Sequence, residues 1–146
     1  MYFVDMRQMN ETLNFFDETL TIVKEQQFST SLEYFALERI THVLIEAIID
    51  TGNMMIDGFI MRDPGSYLDI VHILADENVL PEEDIKAYED IVSIRKKLVQ
   101  DYKKMDHQEI HTLLTENLPV LLQFTTHIRS YLASEMGIAN TFTNIN

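Results

Sequence analysis

The residues best placed to do chemistry in this sequence lie between Arg95 and Lys104. Ile85, Tyr88, Val92, Arg95, Val99 and Tyr102 recur every three or four positions, so on a helix they share one stripe. A guanidinium among apolar neighbours needs a carboxylate, and Glu46 and Asp50 are the acidic candidates. Around it, Lys96, Lys97, Lys103 and Lys104 bring five of the eleven basic residues into ten positions. The whole chain carries a formal charge of −13, which repels polyanions. Binding of a phosphate backbone is therefore expected only at this basic island.

Other chemistry is narrowed by composition. Cysteine is absent, which removes disulfides, thiolate zinc sites and cysteine nucleophiles. Five histidines remain: His42, His72, His107, His111 and His127. His107 and His111 share a helix face, but Glu109 stands two positions after the first of them, where the metalloprotease motif needs the glutamate next. No third ligand accompanies them, so neither a metal nor another cofactor is expected. The eight Met residues read as adaptable core filling.

The elements that must position Arg95 are helical. The 146 residues hold only 4 Gly and 3 Pro, and the segments between them repeat with helical period. The expectation is an all-α, antiparallel bundle of four long helices plus one short helix, in a single domain over residues 1–138 with a loose polar tail over 139–146. The first helix spans about Asp5 to Gln26, with Met9, Leu13, Phe16, Leu20 and Val23 facing the core. The second starts at Thr30, whose spacing to Glu33 is that of a capping box. It carries Leu32, Phe35, Ala36, Ile40, Val43, Leu44, Ala47 and Ile48 on a wide apolar stripe and reaches about Phe59.

After Asp63-Pro64-Gly65, Ser66 and Asp69 cap a short helix through Ala75. Pro81 and the acidic run Glu82–Asp84 open the fourth helix, which is expected to end near Tyr102 to Lys104. Asp106 and Glu109 cap the last, which Pro119 kinks or restarts and Gly137 stops. The start of the chain lacks a basic stretch followed by an apolar core, and the apolar run from Val43 to Ile60 is interrupted by charges. No membrane span and a cytoplasmic location are expected.

Arg95-Lys96-Lys97-Leu98-Val99-Gln100-Asp101-Tyr102 resembles the signature of HepT-like toxins in the HEPN superfamily, which reads Arg, four residues, His, one residue, Tyr. The resemblance extends to Glu46-Ala47-Ile48-Ile49-Asp50, to Ser66-Tyr67 and to the helix order, and covers roughly Phe28 to Leu132. It implies a HEPN-like helical bundle that dimerises and cleaves RNA without a metal, using the Arg and His of both protomers in an interface cleft. It also implies that Tyr102 is the hydroxyl to which a minimal nucleotidyltransferase antitoxin transfers AMP.

By that resemblance the catalytic positions are Arg95, Gln100 and Tyr102, with Glu46 and Asp50 supporting and Lys96, Lys97, Lys103 and Lys104 holding RNA. Two positions depart from the pattern. Gln100 stands in the histidine position, where an amide cannot exchange protons near neutral pH. Lys96 replaces the Asn usual after the Arg. Five residues of regular helix also turn through about 140°, separating Arg95 from Gln100 within one chain, whereas a twofold dimer brings them together.

Two readings follow. In the first, the chain is a HepT-like ribonuclease of the toxin–antitoxin type whose RNA cleavage is weakened or lost through Gln100. In the second, it is a non-catalytic dimeric interaction module that binds a nucleotidyltransferase-like partner.

Overall fold

The computed structural model describes residues 3–140, with side chains described through residue 137. The described residues form helices and connecting turns: α1 (Met6–Glu25), α2 (Ser31–Gly58), α3 (Tyr67–Asp76), α4 (Ile85–Ser93), α5 (Arg95–Gln100), α6 (His107–Glu116), α7 (Leu118–Leu121) and α8 (Phe124–Asn140), with a 3₁₀ turn at Glu82–Asp84. The fold is thus the all-α bundle expected, with the last two of its long helices each assembled from shorter segments.

Local chemistry sets the helix starts. Asp5 accepts from the Gln8 amide at 3.1 Å and opens α1. Thr30 and Glu33 complete the reciprocal capping box of α2, with bonds of 3.2 and 2.9 Å. Ser66 caps α3 through the Asp69 amide, and Asp106 caps α6 through the Glu109 amide. Pro119 lies in the first turn of α7, where its missing N–H has no partner to lose.

Helix α2 is the axis of the fold and packs against α1, α3, α5 and α6. Leu37, Leu44, Ile45 and Ile48 are fully buried along it, and the Thr41 hydroxyl turns back onto the Leu37 carbonyl at 2.7 Å. The wide stripe predicted for α2 is narrower than expected at its start: Leu32 and Phe35 are 79% and 69% exposed. Gly52 lets α3 close on α2, because a Cβ there would collide with Ile70. At the other end of the core, Phe124 packs on Phe16 and Tyr88 with ring centroids 5.0 and 5.8 Å apart. Arg129 and Thr125 tie α8 to Asn10, Asn14 and Asp17 of α1.

The expected fourth helix is corrected in two ways. It is interrupted at Ile94, whose amide donates to Ile91 at 3.3 Å in a tightened turn. The Ser93 hydroxyl donates to the Glu89 carbonyl at 2.6 Å, a back-bond that competes with the helix and bends it. The helix then ends at Gln100, short of Tyr102, which lies in the following turn. As a result Ile94 and Leu98 face the core in place of Val99 and Tyr102, which are 45% and 57% exposed. Gly137 does not stop α8, which runs on to Asn140. The expected tail lies outside the described residues from position 141 onward.

Candidate functional site at the head of helix α5

Arg95 opens α5 directly after the Ile94 turn, where α5 crosses α2. Its Nε donates to Glu46 Oε1 at 2.6 Å, and its guanidinium carbon stands 4.6 Å from the centre of the Tyr67 ring. The Glu46 bond raises the guanidinium pKa above its ordinary value, outweighing desolvation. Anchored through Nε, Arg95 keeps both terminal Nη groups without a hydrogen bond among the described residues. The side chains of Arg95 and Glu46 stay 27% and 35% exposed, so an anion can reach them from solvent.

Of the two acidic candidates, Glu46 takes the arginine. Asp50, one turn further along α2, lines a groove between α1 and α2 with Thr12, Phe15, Arg39, Val43 and Ala47. Burial, and then the charge of Glu46, push its carboxyl upward. His42, one turn before Glu46, places Nε2 3.4 Å from the same Oε1 that Arg95 holds. His42 and Tyr67 are the neighbours that reading the sequence did not assign to Arg95. The one-turn spacing from His42 to Glu46 was the available signal.

Gln100 and Tyr102 belong to a different surface. They line a cleft of about 500 Å³ between α5 and the start of α6, together with Lys97, Lys103, Lys104 and the apolar Ile94, Met105 and Ile110. Arg95 does not line it, so the arginine and the motif's sixth position do not converge within one chain. The basic island is partly neutralised here: Lys97 pairs with Glu109 at 3.1 Å, and Asp101 and Asp106 share the wall. Lys103 lies 5.9 Å from the centre of the Tyr102 ring, and Lys96 is exposed outside the cleft.

The remaining histidines are dispersed. His107 Nε2 lies 2.8 Å from Glu38 Oε2 and its ring stacks on Tyr34 at 4.6 Å. His72 contacts Glu89 at 3.0 Å, and His111 packs near Phe28. No group of three or more residues suited to holding a metal occurs among the described residues. Nor is any described helix long and apolar enough to cross a membrane.

Comparison with known proteins bears on this arrangement directly. A family described as "Ribonuclease HepT-like" matches residues 9–128. The chain is 45% identical over 143 residues to a Bacillus subtilis (strain 168) protein named "Putative RNase YutE", covering 97% of this chain and 99% of that protein. It is also similar to the solved structure of YutE, titled a cytosolic protein of unknown function from Bacillus subtilis. The TM-score is 0.91 at 46% identity, covering 94% of this chain and 96% of that one. A matched segment that includes the Glu46–Arg95 pair and the whole Arg95–Tyr102 stretch, in the same helical fold, leads to one conclusion: this chain belongs to the HepT-like ribonuclease family.

Proposed function

We propose that this protein is a HepT-like ribonuclease of the toxin–antitoxin type that cleaves RNA without a metal in a cleft between two protomers, with catalysis weakened by Gln100. The observation that carries this reading is the arginine itself. Glu46 fixes Arg95 by its Nε alone, which leaves a planar pair of N–H groups to meet the oxygens of a phosphodiester. A guanidinium so held stabilises charge that develops on phosphorus-bound oxygen without moving a proton itself. Lys96, Lys103 and Lys104 extend the positive surface along a bound backbone, while Lys97 first has to leave Glu109.

Separation of Arg95 from the Gln100–Tyr102 cleft within one chain favours a twofold dimer, in which each protomer supplies one half of the site. The unit that dimerises is a single domain over residues 1–138, in the cytoplasm. The test is RNA cleavage by purified protein without added metal, comparing the native chain with Arg95→Ala and Gln100→His. Cleavage that disappears in Arg95→Ala supports the enzyme, and activity gained in Gln100→His identifies position 100 as the weakened one. Absence of cleavage by every variant removes the ribonuclease reading. Light scattering at tens of micromolar protein tests the dimer, and a monomer there rejects the shared cleft.

One observation favours a second reading, a non-catalytic dimeric module that binds a nucleotidyltransferase-like partner. Tyr102 is 57% exposed beside a cleft large enough to admit another molecule, a suitable position for an acceptor hydroxyl. AMP transfer to native protein but not to Tyr102→Phe, followed by mass spectrometry with a candidate partner, separates this reading from the first.

A further inference from the structure

The geometry points to His42 as the proton-transfer group of the Arg95 site, in the role that an amide at position 100 cannot fill. This rests on the ribonuclease reading and adds to it a residue outside the Arg95–Tyr102 segment.

On α2, Glu38, His42 and Glu46 follow one another at single-turn spacing and so lie along one line of the helix. Both glutamates are engaged from α5 and α6: Glu38 by His107 at 2.8 Å and Glu46 by Arg95 at 2.6 Å. His42 lies between these pairs, touches the Glu46 oxygen at 3.4 Å, and has no other polar partner among the described residues. Its side chain is 30% exposed, enough for a proton to pass to and from solvent. Charged groups near this stretch are Glu38, Arg39, Glu46 and Asp50 on α2, Glu11 on α1, Arg95 on α5 and His107 on α6.

The other histidines lack this placement. His107 is stacked and paired at a separate carboxylate, and His72, His111 and His127 contact neither Glu46 nor Arg95. His42 is therefore the imidazole that shares a carboxylate oxygen with the phosphate-binding arginine. A carboxylate beside an imidazole orients the ring for proton transfer.

The step balances without a metal. The 2′-oxygen of the ribose attacks phosphorus as its proton passes to the His42 imidazole. The bond from phosphorus to the 5′-oxygen breaks, and that oxygen takes a proton from water. The products are a 2′,3′-cyclic phosphate and a 5′-hydroxyl end, with Arg95 holding the phosphate oxygens throughout. The imidazolium then returns its proton to solvent.

The experiment measures cleavage of a labelled single-stranded RNA and a labelled structured RNA, without added metal, across a range of pH. Native protein, His42→Gln and His42→Ala are compared, with circular dichroism as the check on folding. Expected is a loss of about 10²–10⁴-fold in both variants, disappearance of the rising limb of the native pH–rate profile, and partial recovery of His42→Ala in added imidazole. RNA affinity stays near native, because Arg95 and the lysines are intact. Native cleavage that persists in His42→Gln with its pH profile unchanged overturns the assignment while leaving the ribonuclease reading standing. Native protein that cleaves neither RNA overturns the His42 assignment, and the ribonuclease reading falls with it when Gln100→His cleaves neither RNA as well.

Discussion

The two ends of α5 differ in a way that its six residues conceal. At its head, Arg95 is held by a long-range bond to a residue 49 positions away and lies over an aromatic ring, with His42 beside the same glutamate. At its tail, Gln100 and Tyr102 are exposed, and the three lysines of the cleft face three carboxylates. The head is preorganised by tertiary packing, whereas the tail lies open to solvent beside its cleft. In a ribonuclease site the first kind of region fixes the phosphate and the second admits the substrate or partner.

The largest effect is expected from Arg95→Ala. Removing a fixed cation from developing phosphate charge should cost on the order of 10²–10³ in cleavage rate, measured as single-turnover cleavage at saturating RNA. Arg95→Lys should recover little of it, because a lysine cannot hold Glu46 and a phosphate through one planar group. If Arg95→Lys cleaves like the native chain, the head of α5 supplies only charge and the contrast with its tail fails.

Gln100→His comes next. An imidazole at the tail should raise cleavage by up to about 10²-fold if the tail of one protomer meets the head of another. An unchanged rate places position 100 outside the reacting atoms. Smaller still is Lys103→Ala combined with Lys104→Ala. It should weaken RNA affinity several-fold and flatten its dependence on salt by about one unit of log–log slope for each phosphate left without its lysine, read from binding titrations at several ionic strengths.

The smallest expected effect concerns stability at the carboxylate pair. Burial and Glu46 disfavour the charged form of Asp50, so the folded chain holds that proton more tightly than the unfolded chain does. Its ionisation therefore opposes folding above the ordinary carboxylate range, and the cost vanishes at lower pH where both states are protonated. Asp50→Asn should raise the Tm slightly at pH 7 and leave it unchanged at pH 3 in thermal melts. A lower Tm at pH 7 would mean that the carboxylate is stabilised by an interaction beyond burial.

A stability test away from the site sharpens the same distinction between built and open regions. The hydroxyl of Tyr88 is buried without a hydrogen-bond partner among the described residues, and burial pushes its pKa far upward. Tyr88→Phe should stabilise the fold by roughly 1 kcal/mol in denaturant titrations, because an unsatisfied buried polar group is removed at nearly constant shape.

How much was legible follows from the range of each interaction. Helix starts at Thr30, Ser66 and Asp106 depend on a side chain and an amide three residues away, so they could be read directly. The restart at Pro119 follows from a missing donor in that residue itself. The break at Ile94 was not legible, because Ser93 bonds to the backbone in some helices and to solvent in others. Exposure of Leu32 and Phe35 was hidden for a similar reason: periodicity shows which face of a 28-residue helix is apolar, but not how far its neighbours cover it.

By itself the sequence determined the helical class, the caps, the basic cluster and the family signature, all of which rest on residue type and short spacing. Only the tertiary structure decided that Arg95 binds Glu46 rather than Asp50, that His42 shares that carboxylate, and that Tyr102 faces solvent. Glu46 and Asp50 differ by a single helical turn and offer the same charge, so the choice belongs to the place where α5 crosses α2. That crossing is set by the Ile94 turn and the packing of the core, which no spacing along the chain encodes.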